Sequence, residues 1–369
     1  MGACFLCGAN SQTISEAIAC CSACLRERWD EAASLVQRAH RQSRQEFGLP
    51  EQPPMSDGGL RCRLCVNECR MGPGEAGFCG ARKNEGGRLA GATAEVGNVT
   101  WYYDPLPTNC VASWVCPAET DAGYPRLTRV RGPEYGYYNL AVFYQACSFN
   151  CLFCQNWHFR QATKRPDWAS AEQLAAAVNE RTACICYFGG DPGPQVTHAL
   201  RASRLALERA GDKPLRICWE TNGSVNPDLL NEMVDLSLQS GGCIKFDLKS
   251  WNDNVHRGLT GFSNKRTLEN FRRASARSSE RPDPPLLVAS TLLVPGYVDE
   301  EEVRAIARFL ASLNNEIPYS LLGFHPQFYM HDLPCTSREH AQACLDASHA
   351  VGLKRVRIGN VHVLGPPYS

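Results

Sequence analysis

Three cysteines, Cys147, Cys151 and Cys154, share one short stretch, Tyr144-Gln-Ala-Cys-Ser-Phe-Asn-Cys-Leu-Phe-Cys-Gln-Asn-Trp157, directly after the apolar run Leu140 to Tyr144. Three thiolates on one loop can hold three irons of a cubane 4Fe–4S cluster. The fourth iron then has no protein ligand nearby and keeps an open position, which makes it a reactive site; structural clusters and zinc sites are normally closed by four ligands. Phe153, just before the last cysteine, offers an aromatic face to a ring-bearing ligand.

The chain has 20 cysteines. Cys4-x2-Cys7 and Cys21-x2-Cys24 are two knuckles whose spacing suits a tetrahedral zinc site, with Cys20 a spare thiol. Cys62, Cys65, Cys69 and Cys79 form a further set among turn-permitting glycines, and four thiolates there could close around zinc or an auxiliary 4Fe–4S cluster. Cys110 and Cys116 read by default as buried apolar thiols, with a late ligand role as the alternative. Cysteine pairs in a long chain whose N-terminus has neither a basic start nor an apolar signal core point to metal binding in a reducing cytoplasm, not to disulfides.

Formal charge is balanced, 38 Lys and Arg against 38 Asp and Glu, so nucleic acid and anionic membranes are not favoured partners. No run is apolar and long enough for a membrane span.

The elements that must position these residues follow from periodicity. Arg26 to Phe47 reads as one amphipathic helix ended by Gly48. Beyond Leu140, strand-like runs alternate with helical ones: Ala183–Gly190, Leu215–Gly223, Cys243–Ser250, Leu286–Gly296, Tyr319–Pro326 and Arg355–Gly359 are strands. The helices between them cover 170–181, opened by a Ser170/Gln173 capping box, then 195–210, 228–239, 265–277, 299–313 and 338–351. Such α/β alternation predicts a parallel sheet with outer helices. About six units are too few for a closed eight-fold barrel, so the expected fold is a partial, open (β/α)6-type barrel with an N-terminal cysteine-rich metal-binding extension. The predicted division is a Cys4 knuckle plus helix (1–48), a linker (49–60), a cysteine-containing segment packed on the barrel (61–137) and the barrel (138–369).

Ligands in such folds sit at the carboxyl ends of the strands. Those ends carry Gly189-Gly190-Asp191-Pro192, Glu220-Thr221-Asn222-Gly223, Asp247-Leu248-Lys249, Val294-Pro295-Gly296 and Phe324-His325-Pro326. Within 243–249, strand alternation puts Lys245, Asp247 and Lys249 on the lumen face.

Taken together, these motifs resemble the radical S-adenosylmethionine (radical SAM) superfamily, and within it the activating enzymes of pyruvate formate-lyase and other glycyl-radical enzymes, the AmmeMemoRadiSam type being nearest. The resemblance covers roughly Gly59 to Gly365. It implies reductive cleavage of S-adenosylmethionine at a 4Fe–4S cluster on Cys147, Cys151 and Cys154, giving a 5′-deoxyadenosyl radical that abstracts hydrogen from a substrate. It implies a low-potential electron donor, flavodoxin- or ferredoxin-like, and a protein substrate if the chain is an activase. By the same resemblance Gly189, Gly190, Asp191 and Pro192 contact the amino group of S-adenosylmethionine. Lys249 and His325 hold its carboxylate or ribose, and Thr221, Asn222 and Val294 line the site. Asp191 stands where Glu is commoner, a shorter reach.

Two other functions compete with an activase. One is a radical enzyme acting on a small molecule, a peptide or a protein side chain, with the N-terminal elements over its mouth. The other is a non-catalytic iron–sulfur or zinc scaffold. A last expectation concerns charge. Some activases hold a monovalent cation near the acids matching Glu220 and Asp247; here the Lys245 ammonium is expected to reach both and take its place.

Overall fold

The computed structural model describes residues 1–368. Seven parallel strands lie side by side in chain order: β1 (Tyr138–Tyr144), β2 (Thr182–Gly189), β3 (Arg216–Thr221), β4 (Ile244–Asp247), β5 (Leu287–Leu293), β6 (Tyr319–Gly323) and β7 (Val356–Ile358). Parallel neighbours need crossovers. The helices Val196–Ala210, Pro227–Ser240, Lys265–Ser275, Glu300–Leu313 and Arg338–Ala350 lie between successive strands from β2 to β7. Val96–Pro105 adds antiparallel to β1, and Trp168–Ser170 adds antiparallel to that strand. The β7 and Trp168–Ser170 edges do not pair with each other, so the barrel is partial and open, as its repeat number requires.

Local chemistry sets the element ends. Ser170 and Gln173 form the reciprocal capping box. Asn226, Asp299 and Ser337 accept backbone N–H groups at the starts of their helices. Sequence periodicity overlooked one short helix, Asp253–Thr260, although its signals are present: Asn252 caps two backbone N–H groups and Gly261, at φ +81°, ends it. The expected single helix over 26–47 is instead two, Ser22–Glu27 and Trp29–Gln45. Arg28 breaks it, with non-helical backbone and its guanidinium donating to the Leu6 carbonyl at 2.9 Å.

The N-terminal segment packs across the carboxyl-end loops of the barrel. Leu25 lies against Gly258 so closely that a Cβ there would sit 2.9 Å from it. Tyr297 accepts the Ser15 N–H at 3.0 Å and donates to the Cys20 carbonyl at 2.9 Å. Asp332 accepts from Ser15 Oγ at 3.1 Å and the Glu16 N–H at 2.7 Å.

Lumen-facing side chains alternate with those facing the helices. On β3 the lumen face carries Arg216, Cys218 and Glu220, and the other face carries Ile217 and Trp219, both fully buried. The barrel floor is closed by the segment 106–137. Its Glu134 forms a bidentate pair with Arg216, both groups essentially inaccessible, and also accepts from Thr128 Oγ1 and the Arg129 N–H at 2.9 Å each. The pair anchors that segment to the sheet. Removing one partner strands the other charge in the interior, at a cost of about 3–5 kcal/mol. Glu134→Ala should lower the denaturation midpoint accordingly; urea unfolding within 1 kcal/mol of wild type would show that the pair is not an anchor.

Candidate active site

The loop after β1 holds the three cysteines in place by bonds to two other elements. The backbone N–H groups of Asn150 and Leu152 donate to the Thr260 and Leu259 carbonyls at 2.9 and 3.0 Å, at the end of the helix overlooked in the sequence. The Asn150 amide donates to Ser43 Oγ at 2.8 Å and to the His40 carbonyl at 3.2 Å, on helix Trp29–Gln45, and accepts from Arg160 Nη2 at 3.2 Å. The N-terminal helix is thus part of the loop's support. Cys147 and Cys151 are buried, and Cys154 is half-buried. The Phe149 N–H and the Asn222 amide point at Cys147 Sγ, at 3.4 and 3.8 Å.

All three thiols open onto one cavity of about 270 Å³, which contains no other cysteine among the described residues. Its walls also take Phe153, Gly189, Gly190, Asp191, Glu220, Thr221, Asn222, Lys245, Asp247 and Lys249. Five successive strand ends or loops therefore converge as the fold rule requires. The two glycines are steric necessities. A Cβ on Gly190 would lie 2.2 Å from the Ala146 carbonyl oxygen, and Gly189 sits at φ +106° with Tyr144 N only 2.7 Å from such an atom.

Asp191 is braced inward. Its carboxylate accepts from the Asn222 N–H and the Gly193 N–H at 2.7 Å each, and from Thr221 Oγ1 at 3.1 Å. Burial pushes its carboxyl up to about 6, against the pull of those N–H donors. The shorter side chain thus ties the β2 and β3 ends together, and its oxygens are committed to the protein.

Lys249 pairs with Asp247 and lies 5.3 Å from the centre of the Phe153 ring. Burial opposes its charge, while Asp247 and the nearby thiols hold its ammonium above the ordinary lysine range. Lys245 is buried, and its Nζ lies 3.0 Å from Glu220 Oε1, 2.9 Å from Cys186 Sγ and 3.2 Å from Cys110 Sγ. The expected double reach of Lys245 is corrected here: it meets Glu220, but the partner of Asp247 is Lys249. Three expected wall residues lie elsewhere. Pro192 and Val294 are buried behind the wall. His325 follows the end of β6 and its ring nitrogen meets Gln327 at 3.5 Å, off the cavity.

Arg160 was not singled out in the sequence. It is 1% exposed, borders the cavity, and leaves Nε and Nη1 without a hydrogen-bond partner. Its guanidinium lies 4.6 and 4.5 Å from the Phe159 and Phe328 ring centres, and a nearby anion would further offset the cost of burying its charge. Thiolate-ligated iron–sulfur clusters are anionic, so Cys147, Cys151, Cys154 and Arg160 fit such a group together. Nothing in the spacing of Arg160 signalled this; only its position against the loop does.

The other cysteines separate by geometry. Cys4, Cys7, Cys21 and Cys24 bring their sulfurs within 4.8 Å of one another, with Cys7 and Cys21 3.8 Å apart. Zn–S bonds of about 2.3 Å place tetrahedral sulfurs about 3.8 Å apart, so this set can hold one zinc ion. Cys62, Cys65, Cys69 and Cys79 line a separate small cavity. Cys110 and Cys116 join Cys184, Cys186, Cys218 and Cys243 on the barrel floor, three of the four being lumen positions of β2 and β3.

Comparison with known proteins agrees with this geometry. Residues 141–310 match the model of the radical SAM superfamily. The chain is 34% identical over 142 residues to an isethionate sulfite-lyase activating enzyme of Oleidesulfovibrio alaskensis, covering 38% of this chain and 41% of that one. It is 25% identical over 195 residues to pyruvate formate-lyase 1-activating enzyme of Escherichia coli, covering 50% and 73%. It is 24% identical over 319 residues to an uncharacterized protein of Methanocaldococcus jannaschii, covering 83% of each. The match to the isethionate sulfite-lyase activating enzyme thus spans less than half of that relative's length. No helix is long and apolar enough to cross a membrane among the described residues. The cysteine loop, the polar strand ends and the open barrel thus overlap the segment, residues 141–310, that matches the radical SAM model, and the chain is similar there to glycyl-radical activating enzymes.

Proposed function

We propose that this chain is a radical SAM enzyme that cleaves S-adenosylmethionine reductively and abstracts hydrogen from a substrate, as activating enzymes do. The observation that supports it most is three thiols of one loop facing a single cavity that holds no fourth cysteine among the described residues and is bordered by Arg160, whose Nε and Nη1 have no hydrogen-bond partner. When bound, the 4Fe–4S cluster and S-adenosylmethionine supply a 5′-deoxyadenosyl radical by breaking the sulfur–C5′ bond with one electron from a low-potential flavodoxin- or ferredoxin-like donor. In this reading Cys147, Cys151 and Cys154 hold the cluster, and Arg160 balances its charge. The Gly189–Gly190 backbone, exposed by the lack of side chains, faces the amino group. Asp191 fixes Thr221 and Asn222 rather than touching the ligand. Lys249 presents positive charge to the carboxylate, and Phe153 offers a face to a ring. The low-dielectric cavity excludes water from the radical.

A second reading, a substrate that is a small molecule, peptide or side chain, is favoured by one observation. Residues 13–46 lie over the loops following β4, β5 and β6, through the Leu25, Tyr297 and Asp332 contacts and a 2.9 Å bond from Tyr329 to Glu46. This cover narrows entry for a backbone loop of a partner enzyme. Transfer of deuterium from a candidate substrate into 5′-deoxyadenosine separates the two readings.

Replacing Cys147, Cys151 and Cys154 together by Ala should abolish 5′-deoxyadenosine formation with dithionite; retained product would overturn the reading and leave a cysteine-rich scaffold. We also propose that Cys4, Cys7, Cys21 and Cys24 hold zinc. That triple variant should keep about one zinc per chain, measured by elemental analysis, and lose it when Cys4 and Cys7 become Ser.

Lys245 is proposed to supply the positive charge beside Glu220. Cleavage in the wild type should be indifferent to sodium or potassium, whereas Lys245→Met, which leaves Glu220 without its partner, should become cation-dependent. Strong stimulation of the wild type by potassium would show that an ion, not the lysine, does this work.

A further inference from the structure

The second cysteine set carries information that its sequence spacing does not. Cys62, Cys65, Cys69 and Cys79 are all free and line one small closed cavity. Among the described residues, only Cys4, Cys7, Cys21 and Cys24 bring three or more such ligand atoms within 4.8 Å. The Cys62 set is therefore spread wider than the coordination sphere of one zinc ion. It shares that wider spacing with Cys147, Cys151 and Cys154. Four thiolates on one small cavity, spread wider than a zinc sphere, could each cap one iron of a cube of iron and sulfide, with no corner left open.

The surroundings are built for negative charge. Arg82 is buried in the cavity wall and donates to the Pro194 carbonyl, with no carboxylate within 4 Å among the described residues. Arg44, 2% exposed, lies 3.5 Å from the centre of the Phe78 ring, beside Cys79, and also lacks a carboxylate. Arg44 donates to the Phe78 carbonyl, next to Cys79, and feels the charges of Arg160, Cys79, Cys147 and Cys69, so both cysteine sets are within its electrostatic reach. Three buried guanidinium groups without acids are costly unless anions sit among them.

The two sets are joined by a short path. Asn67, two residues after Cys65, donates its amide to the Ser148 carbonyl at 2.9 Å, and Ser148 follows Cys147. The Val66 N–H donates to the Ser224 carbonyl at 2.9 Å, and Ser224 Oγ meets Ser148 Oγ at 2.8 Å. Alongside, Phe78, Phe262 and Phe149 form a chain of ring contacts at 4.9 and 5.7 Å. At the other end, Cys62 and Cys79 are partly exposed. The segment 60–90 carries six Arg and Lys against three Glu, in a chain that is neutral as a whole, and Arg61 and Arg63 are exposed without an acid partner.

We propose that Cys62, Cys65, Cys69 and Cys79 hold a second 4Fe–4S cluster, and that it relays one electron at a time from an acidic, low-potential redox protein docked on this basic face to the cluster at Cys147, Cys151 and Cys154. The donor is oxidised by one electron, the second cluster is reduced and then reoxidised, and the first cluster is reduced; no proton or bond is exchanged. The relay rests on the function proposed above, whereas the second cluster itself does not.

The test uses the full chain reconstituted anaerobically with iron and sulfide. The Cys147/Cys151/Cys154→Ala variant should retain about four irons per chain and a reducible cluster by Mössbauer and electron paramagnetic resonance spectroscopy. Adding Cys62→Ala and Cys65→Ala should remove both. A triple variant without iron, or with two zinc ions per chain, would overturn the second cluster, whether or not the wild type cleaves S-adenosylmethionine. For the relay, 5′-deoxyadenosine formation is compared with reduced flavodoxin and with dithionite. The flavodoxin-to-dithionite ratio should fall to background in Cys62→Ala/Cys65→Ala. It should fall roughly tenfold or more in Arg61→Glu/Arg63→Glu, where steering by charge is reversed. An unchanged ratio in either variant would overturn the relay, and no cleavage by the wild type with either reductant would instead overturn the proposed function.

Discussion

Buried positive charge is the constraint on which the arrangement depends. Inside the barrel each cation has an acid: Arg216 has Glu134, Lys245 has Glu220 and Lys249 has Asp247. The desolvation cost of each is offset by a partner held in good geometry, and those pairs in turn fix the floor segment and the strand ends. Arg44, Arg82, Arg160 and Arg281 are buried without an ion pair among the described residues; the first three lie near the two widely spaced cysteine sets, whereas Arg281 donates to the Gly242 carbonyl.

The same constraint explains why the N-terminal segment belongs to the site. Helix Trp29–Gln45 carries His40, Ser43 and Arg44 to the cysteine loop, and Asn150 links that helix to Arg160 through a single side-chain amide. His40 is itself buried, and burial lowers its imidazole to about 4, so it stays neutral beside Arg44 while its Nε2 meets the Gly258 carbonyl at 3.0 Å. The compact fold of residues 4–24 gives this helix a root, since a helix packed by one face has little stability of its own. Structure at one end of the chain thus sets the geometry of a loop more than a hundred residues away.

Asp191 shows how one shortened side chain is absorbed. A carboxylate one methylene shorter stays within the turn, accepts its own neighbour's N–H at Gly193 and reaches across to the next strand. The cost is a buried carboxyl; the return is a stiff junction between β2 and β3 that presents the glycine backbone to the cavity.

The sequence by itself determined the periodic part of this protein. Strand and helix alternation from Leu140 onward, the Ser170 capping box, the polar strand ends and the Cys147, Cys151, Cys154 spacing are local properties, legible because hydrophobic period and ligand spacing act over a few residues. Lys245, Asp247 and their lumen face followed from simple alternation. Tertiary structure decided which acid each lysine meets, because that depends on the stagger of β3 against β4 and on the reach of Lys249. It decided that Val294 and His325 leave the cavity, the one lying just beyond the end of β5 and the other beyond the end of β6. It brought Cys184, Cys186, Cys218 and Cys243 together from separate strands, and Arg44 and Arg160 from separate helices. Such contacts join residues far apart in the chain, so no local pattern encodes them. Sulfur spacing, the quantity that separates one zinc ion from a four-iron cube, is likewise set by how loops fold back on one another and not by the number of residues between cysteines.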